Sequence, residues 1–449
     1  MKFRTQRIYQ QGIEALRAGR SEPAERCFRE VLKDNPAEES AILYLGMILA
    51  KTNRMVEAAA FYEAGLQLIP GSAELCYNLA LARQHQGDVA TAIHHYEMAI
   101  RLRPTYAAAW NNLGLAYNDP EKGIPCFQRA MALDPGDPQY HDNLGTDLVM
   151  LGHRDEGIRC YQEALRLRPN DPDIRLHYGL AVLGQGHWQQ GWPFYDGRIA
   201  GRSSPLDSSI SAWKGESLKD RSILLWAEQG YGDSLMMFRY ANLLSEQGAT
   251  VSVLVQSALM VLFQRGHDRI RILPMANGQR PEGSFDFHCP LMSLPHRLGL
   301  EPDLIQIVDR YLFARPVPRP SSFQAKRLQI GLAWFGNPLF FNDRQRSLSH
   351  FRILAPLLGV PGCQFHSLSV GSRVNEINGF PVDNPITNAW DFDDTAAYIQ
   401  HLDLVISVDT AAAHLAGALG KPVWILLPTP AEWRWYPYGE STPWYSSAR

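Results

Sequence analysis

Prolines recur at Pro36, Pro70, Pro104, Pro135 and Pro169, at intervals of 34, 34, 31 and 34 residues. A fixed period of this size constrains a fold more than composition does, because it describes one structural unit stacked on copies of itself. Other features keep the same register. Twelve residues before each proline stands a small residue (Ala24, Ala58, Ala92, Gly123, Gly157), and eight before stands an aromatic (Phe28, Tyr62, Tyr96, Phe127, Tyr161). Further upstream a second small residue recurs at Gly12, Gly46, Ala80, Gly114, Gly145 and Gly179, and Leu45, Leu79, Leu113 and Leu144 precede four of these. The pattern predicts one pair of antiparallel helices per unit. Small residues let the two helices approach, the aromatic fills the wedge between one pair and the next, and the proline ends the second helix.

This register resembles the tetratricopeptide repeat. The resemblance implies an α-helical solenoid over residues 1–200 with about five and a half repeats. The fourth unit is shortened at Asn118-Asp119-Pro120, and a degenerate sixth runs from about Pro172 to Ile199. The first helix of each pair is expected to line a concave face, where Gln10, Tyr44, Asn78, Asn112, Asn143 and His177 share one slot. Asn78, Asn112 and Asn143 form a ladder of amides, each both donor and acceptor, which suits an extended peptide backbone. The alternative is that asparagine is merely tolerated in this slot. A protein or peptide is the partner expected for this half.

Past residue 200 the period is lost. Residues 201–220 are polar and serine-rich and read as a linker. Short apolar strands then alternate with helical stretches: Ser222 to Ala227, Thr250 to Val255, Ile270 to Leu273 and Phe285 to Pro290 read as strands. A proline-rich hinge, Arg315 to Ser322, separates these from a second set: Leu328 to Trp334, Gln364 to Leu368, Leu404 to Val408 and Val423 to Leu427. The alternation predicts two α/β lobes, 221–318 and 319–449, each with a parallel sheet and a ligand site at the carboxyl ends of its strands.

Composition removes several function classes. The 43 basic and 46 acidic residues give a net charge of -3. Neither half has the basic excess of a protein that grips nucleic acid through phosphates. The longest strongly apolar stretch, Ala41 to Ala50, is about half of a membrane span, and the polar start has no apolar signal core. A cytoplasmic location is the expectation. Six cysteines without CxxC spacing read as buried apolar side chains rather than a disulfide framework or metal site.

Three segments are candidates for chemistry. In the first, Leu404 to Pro428, a buried strand ends at Asp409-Thr410 and a helix starts at once. Ala411, Ala412 and Ala413 leave its amino end open, so free backbone N–H groups and the Thr410 hydroxyl would hold a diphosphate, with His414 touching phosphate or sugar. Alternatively Asp409 or Thr410 only caps the helix and His414 is structural. In the second, Trp226 to Leu235, a strand opens through Gly230 and Gly232 into a helix bearing Asp233, which caps that helix or carries chemistry. The third glycine of a dinucleotide fingerprint is absent. In the third, Trp334 to Ser347, Gly336 and Asn337 form a turn, and Arg344 and Arg346 are placed to neutralise a diphosphate, or are plain surface arginines. Ser367 to Ser369 and Asp391 to Thr395 are weaker candidates, Ser369 for the nucleotide base and Asp394 for a helix cap, or alternatively a ribose contact. The aromatic run Trp433, Trp435, Tyr436, Trp444 and Tyr445 reads as an apolar wall of the lobe, the alternative being a surface that stacks on sugar or base.

The run Asp409-Thr410-x-x-x-His414-x-Ala416-x-Ala418-Leu419-Gly420-Lys421-Pro422 resembles the donor-site signature of the heptosyltransferase-like glycosyltransferases, which have the two-lobed GT-B fold. Trp213 to Tyr445 is similar to bacterial proteins in which tetratricopeptide repeats precede such a domain. More distantly, the arrangement resembles protein O-linked N-acetylglucosamine transferases. The resemblance implies transfer of a sugar from a nucleotide diphosphate donor on the second lobe to an acceptor protein or peptide. It implies Asp233 as the general base, with no metal and no cofactor beyond the donor substrate. Relatives usually carry a histidine close to Phe340, and the fold usually continues with a strand and crossing helix beyond the point where this sequence stops, Arg449. Both departures keep a second reading open, a repeat scaffold with a degenerate, non-catalytic α/β half.

Overall fold

The computed structural model describes residues 3–199, 210–275, 281–301, 310–338, 343–387, 389–429, 431–435 and 439–449. The chain divides into two compact units, Met1–His177 and Tyr178–Arg449.

The first unit is a series of helix pairs: α1 (Phe3–Arg17) with α2 (Ser21–Asp34), α3 (Glu39–Lys51) with α4 (Met55–Leu68), α5 (Ala73–His85) with α6 (Val89–Leu102), α7 (Ala107–Tyr117) with α8 (Pro120–Leu133), and α9 (Pro138–Met150) with α10 (Arg154–Leu167). Each periodic proline stands two residues past a second helix, where its missing N–H and fixed φ stop propagation. The periodic glycines and aromatics are two halves of one contact. A Cβ on Gly46 would lie 2.3 Å from the Tyr62 ring, one on Gly114 2.7 Å from Phe127, and one on Gly145 2.8 Å from Tyr161. The aromatic of the second helix therefore seats on the small residue of its own first helix. Contact with the next pair, which the sequence pattern suggested as its main role, is added on the other side, as where Phe28 stacks on Tyr44 at 5.2 Å. The short fourth unit is made possible by Asn118, left-handed at φ 47°, followed directly by the Asp119 cap and Pro120.

The helix α11 (Pro172–Leu183) contains the division between units, so the second unit takes in most of the degenerate sixth repeat and begins before residue 200. The reason is aromatic packing. Within the second unit Trp188 and Trp192 of α12 (Trp188–Tyr195) are fully buried, Trp188 stacked on Trp444 and Trp192 edge-on to Trp433, each at 5.1 Å. Part of the expected linker is also built into this unit. Residues 201–209 lie outside the described residues, but β1 (Ser211–Ala212) pairs with a sheet and Trp213 is buried.

That sheet contains β1, β2 (Ser222–Trp226), β3 (Thr250–Val255), β4 (Arg271–Pro274) and β5 (Phe287–Pro290), all parallel, in the order β1-β5-β2-β3-β4. Between β2 and β3 run α13 (Tyr231–Met237) and α14 (Arg239–Glu246), broken at Phe238, and α15 (Met260–Gln264) and α16 (Leu294–Arg297) follow. The second sheet contains β6 (Leu328–Ala333), β7 (Cys363–Ser367), β8 (Val382–Asp383), β9 (Leu404–Val408) and β10 (Val423–Leu426), all parallel, in the order β10-β9-β6-β7-β8. The helices here are α17 (Asp343–Arg346), α18 (Phe392–Ile399) and α19 (Ala411–Ala418), and Phe351–Gly359 is a 3-10 segment. In each sheet the chain reverses its direction of strand addition once, between β2 and β5 and between β6 and β9. The crevice outside such a switch point is where open parallel sheets bind ligands.

Side chains tie the two sheets together inside this unit. Arg239 is buried and donates to the Trp444 carbonyl at 2.7 Å, and the backbone N–H groups of Tyr311 and Leu312 donate to the Ala418 carbonyl at 3.1 Å. Arg265 makes a two-pronged bond to the buried Asp393 at 3.1 and 3.0 Å. Residues 447–449 run along the free edge of β10, with Val423 N–H donating to Ser447 O at 3.1 Å.

Candidate active site

The switch point of the second sheet lies between β6 and β9, so the turn after β9 borders the crevice where a ligand is expected. Asp409 is buried and Thr410 is the extended N-cap residue of α19. The Thr410 hydroxyl pairs with Ser407 Oγ at 2.8 Å rather than with its own helix. Ala411 and Ala412 are half-buried, and among the described residues no acceptor takes their backbone N–H groups. The amino end of α19 thus presents two unspent donors and the positive end of a helix dipole.

His414 was expected to touch phosphate or sugar, but its ring is buried and both nitrogens face protein groups. Nδ1 lies 2.9 Å from the Tyr445 hydroxyl and Nε2 lies 3.5 Å from Asp409 Oδ1. If the Tyr445 O–H donates to Nδ1, the Nε2 proton faces the Asp409 carboxylate. His414 is therefore a prop behind the turn. Burial by itself would raise the Asp409 carboxyl, but the His414 hydrogen bond and the charges of His414, Arg434 and Arg346 outweigh it and bring it down to about 2.

The loop after β2 meets this turn. A Cβ on Gly232 would lie 2.6 Å from His414 Cδ2, so only glycine lets α13 come this close to α19. Gly230 is less constrained, with Asp233 Oδ2 as its nearest neighbour at 3.5 Å. Asp233 Oδ2 accepts from the Gly230 N–H at 3.1 Å, which is the capping role weighed against catalysis. Its Oδ1 is ion-paired with Arg434.

Arg434 was not among the sequence candidates, although a charge set between Trp433 and Trp435 in an otherwise apolar run was a signal. It is buried, lies 4.7 Å over the Trp433 ring, pairs with Glu432 as well as Asp233, and sits 3.5 Å from Gln229 Oε1. Its Nε is buried with no hydrogen-bond partner among the described residues. Burial alone would loosen the guanidinium proton, but the Asp233 and Glu432 carboxylates reverse this and hold it firmly. The flanking Trp433, Trp435, Trp444 and Tyr445 are all buried, and Tyr436 lies outside the described residues.

The loop after β6 closes on itself. The Gly336 N–H donates to Ser347 Oγ at 2.9 Å, and a Cβ on Gly336 would lie 2.7 Å from Asp343 Oδ1 and 2.9 Å from an Arg346 Nη. Arg346 lies 3.4 Å from Asp343, and its charge reaches Asp409. Asn337 follows in the same loop, while Phe340 and the Arg344 side chain lie outside the described residues. Ser369, past the end of β7, is buried with a hydroxyl that has no partner among the described residues. Asp391 caps α18, accepting from the N–H of Asp393 and Asp394 at 2.8 and 2.9 Å, and Asp394 returns the bond to Asp391 N–H at 3.2 Å, completing the cap expected of it. Among the described residues no group of three or more His, Cys, Asp or Glu side chains is arranged to hold a metal ion, and no helix is long and apolar enough to cross a membrane.

In the first unit the three asparagines do not stand as a free ladder. Asn78 Nδ2 turns back to the Glu74 carbonyl at 2.9 Å. Asn143 donates to Asn111 at 2.8 Å, Asn111 to Asn112 at 3.0 Å, and Asn112 to the Tyr77 hydroxyl at 2.9 Å. Asn111 is the link that the one-slot reading missed. Each amide keeps part of its hydrogen-bonding capacity for another group.

Helix-pair repeats followed by an α/β unit with an open helix amino end, and two arginines whose charges reach Asp409, define a repeat protein bearing an α/β unit with a candidate anion site. Comparison with known proteins makes this specific. Residues 9–73, 85–119 and 138–171 match tetratricopeptide repeat profiles, and residues 386–448 match the profile of glycosyltransferase family 9 (heptosyltransferase). Tetratricopeptide profiles thus match stretches of the first unit, and a glycosyltransferase family 9 profile matches the last part of the second. The matched span holds Asp409 to His414 and Arg434, but not Asp233, Gly336 or Arg346.

Protein FlbA of Caulobacter vibrioides is 26% identical over 481 aligned residues, covering 98% of this chain and 74% of FlbA. Protein O-mannosyl-transferase TMTC1 of Homo sapiens is 34% identical over 84 residues, 18% of this chain and 10% of that protein. The probable UDP-N-acetylglucosamine–peptide N-acetylglucosaminyltransferase SPINDLY of Petunia hybrida is 32% identical over 100 residues, 22% of this chain and 11% of that protein. This chain thus spans about three quarters of FlbA and about a tenth of the other two. Among solved structures, MamA is similar at 25% identity over 38% of this chain and 95% of its own, with a TM-score of 0.34.

Proposed function

We propose that the second unit moves a sugar from a nucleotide diphosphate donor to an acceptor hydroxyl, in a GT-B-like arrangement with the donor on the second sheet. The observation that carries this reading is the meeting of two loops. Gly232 after β2 abuts His414 in the turn after β9, and Arg434 is ion-paired with Asp233 while its charge reaches Asp409. The donor diphosphate is assigned to the amino end of α19, where the unspent N–H groups of Ala411 and Ala412 and the charges of Arg346 and Arg434 oppose its negative charge. These groups supply the positive charge that the leaving group requires, so no metal ion or further cofactor is invoked. Asp233 is assigned as general base, Ser369 as a contact for the base of the nucleotide, and Gly336 and Asn337 as the turn that lets the donor approach. The acceptor is a protein or peptide held by the repeats through the residual capacity of Asn78, Asn112 and Asn143, and a cytoplasmic setting fits a nucleotide-sugar donor.

The test is titration of the full chain with ADP, GDP and UDP, followed by assay of nucleoside diphosphate release from their sugar conjugates. Binding of one nucleotide is expected. Asp233→Asn should retain that binding and lose turnover. Failure of all three to bind a folded sample would favour the non-catalytic scaffold, and unchanged turnover in Asp233→Asn would remove Asp233 from the mechanism.

A further inference from the structure

We propose that Arg434 is a positioning residue that couples donor binding to the release of Asp233. The proposal rests on the donor-site reading above and adds an order of events to it. Both oxygens of Asp233 are engaged, one by Arg434 and the other by the Gly230 N–H. One lone pair on each oxygen is thus taken, and the guanidinium stands on the Oδ1 side where an acceptor hydroxyl would otherwise compete for the carboxylate. Arg434 is divided between Asp233 and Glu432, its Nε has no partner among the described residues, and its charge also reaches Asp409 at the root of the α19 turn. A diphosphate at the amino end of α19 competes with Asp233 for this guanidinium, and a planar fork binds phosphate oxygens with two parallel bonds. As Arg434 turns to the donor, Asp233 is freed.

The transfer then balances as a single displacement. The acceptor oxygen bonds to the anomeric carbon while the bond from that carbon to the diphosphate oxygen breaks. The nucleoside diphosphate leaves with the electron pair, and the acceptor proton passes to an Asp233 oxygen. Without donor the base stays paired, which ties acceptor activation to an occupied donor site.

The coupling has a sign that a merely structural ion pair lacks. If Asp233 competes with the donor, neutralising it strengthens donor binding. ADP, GDP and UDP are titrated calorimetrically into the full chain, its Asp233→Asn and Arg434→Gln variants, and the double variant, with circular dichroism to check folding. Asp233→Asn is expected to bind the accepted nucleotide roughly threefold to tenfold more tightly, the range for one partly buried ion pair. Arg434→Gln is expected to bind it about tenfold more weakly or worse, and adding Asp233→Asn in that background should then change nothing. If Asp233→Asn does not fold, Glu432→Gln removes the other competitor and should act in the same direction. If no nucleotide binds the folded wild type, the donor-site reading and the coupling fall together. If one binds but Asp233→Asn binds it equally or more weakly, or tightens binding even without Arg434, the coupling is overturned while the donor-site reading stands.

Discussion

Replacing Gly232 by alanine puts one methyl group where α13 crosses α19, and the structure sets its cost. The new Cβ would lie 2.6 Å from His414 Cδ2. That is about an ångström inside the optimal separation of two carbons. The imidazole has little room to retreat, because it is buried, bonded to the Tyr445 hydroxyl at 2.9 Å, and packed 5.2 Å from the Trp435 ring. Overpacking of this kind costs about 1–3 kcal/mol, and stretching the Tyr445 bond adds about 1 kcal/mol. The sum is about 2–4 kcal/mol, or roughly 5–10 °C in the melting temperature of a unit this size. Tryptophan fluorescence reads it selectively, since of the eleven tryptophans all but Trp110 lie in the second unit. Gly230→Ala is the control. Its Cβ would meet only Asp233 Oδ2 at an ordinary 3.5 Å, and its φ of -71° suits any residue, so its melt should stay within about 1 °C of wild type. Equal melting of the two variants would show that α13 and α19 do not cross at Gly232, and the loop pairing on which the active-site assignment rests would go with it.

Two further outcomes test the charge networks of the second unit. Burial alone would raise the Asp196 carboxyl, but the His296 hydrogen bond, Arg198, Ser293 and Arg297 bring it down to about 2. A depressed carboxyl stabilises the fold above its unfolded value and loses that contribution as pH falls through the folded one. Asp196→Asn should therefore be less stable than wild type by about 2 kcal/mol at neutral pH, with the gap closing between about pH 4 and pH 2 in fluorescence-monitored urea titrations; a gap independent of pH would exclude the ionic account. Arg265→Ala strips the bidentate partner from the buried Asp393 and leaves it Arg315 at 3.8 Å. A loss of about 2–3 kcal/mol in the urea midpoint analysis is expected, below the full cost of an orphaned buried charge because Arg315 remains, and a loss under about 0.5 kcal/mol would place this pair among inconsequential surface bridges.

What was readable in the sequence depended on the distance along the chain between partners. The repeats were legible because each seat and its ring are neighbours in sequence. Gly12 and Phe28, Gly46 and Tyr62, and Gly145 and Tyr161 are each 16 residues apart, and the interval repeats. Strands of the second unit were legible from apolar runs bounded by turns, and the Asp409-Thr410 turn from its abrupt passage into small residues. The hidden parts are the ones fixed by long-range pairing. Nothing local marks Ser211 and Ala212 as an edge strand, since their pairing with Phe287 and His288 decides it. Nothing local shows that His414 is occupied, because Tyr445 comes from the C-terminal segment. Arg434 was passed over because its neighbours are tryptophans, and a wall of aromatics was the right reading for Trp433, Trp435, Trp444 and Tyr445 but not for it.

The same device nevertheless underlies both units. In the repeats a glycine on one helix receives an aromatic ring from another, and in the second unit Gly232 receives the His414 ring and Gly417 the Tyr445 ring, whose atoms would lie 2.5 Å from a Cβ there. The second pair presses the C-terminal segment onto α19, and Tyr445 then holds the histidine that presses on α13. Gly417, Tyr445, His414 and Gly232 therefore form a chain of ring-on-glycine contacts running from the C-terminal segment to the loop that bears Asp233. Such a chain fixes distance rather than merely filling space. A methyl at either glycine moves a ring by about an ångström, and each ring is hydrogen-bonded to the other, so the displacement is passed on instead of absorbed. Asp233 is thus placed relative to the α19 turn by packing that involves no charge, while Arg434 governs whether its oxygens are free. Position and availability of the carboxylate are set by separate groups, and substitutions at Gly417 and at Arg434 should affect it independently.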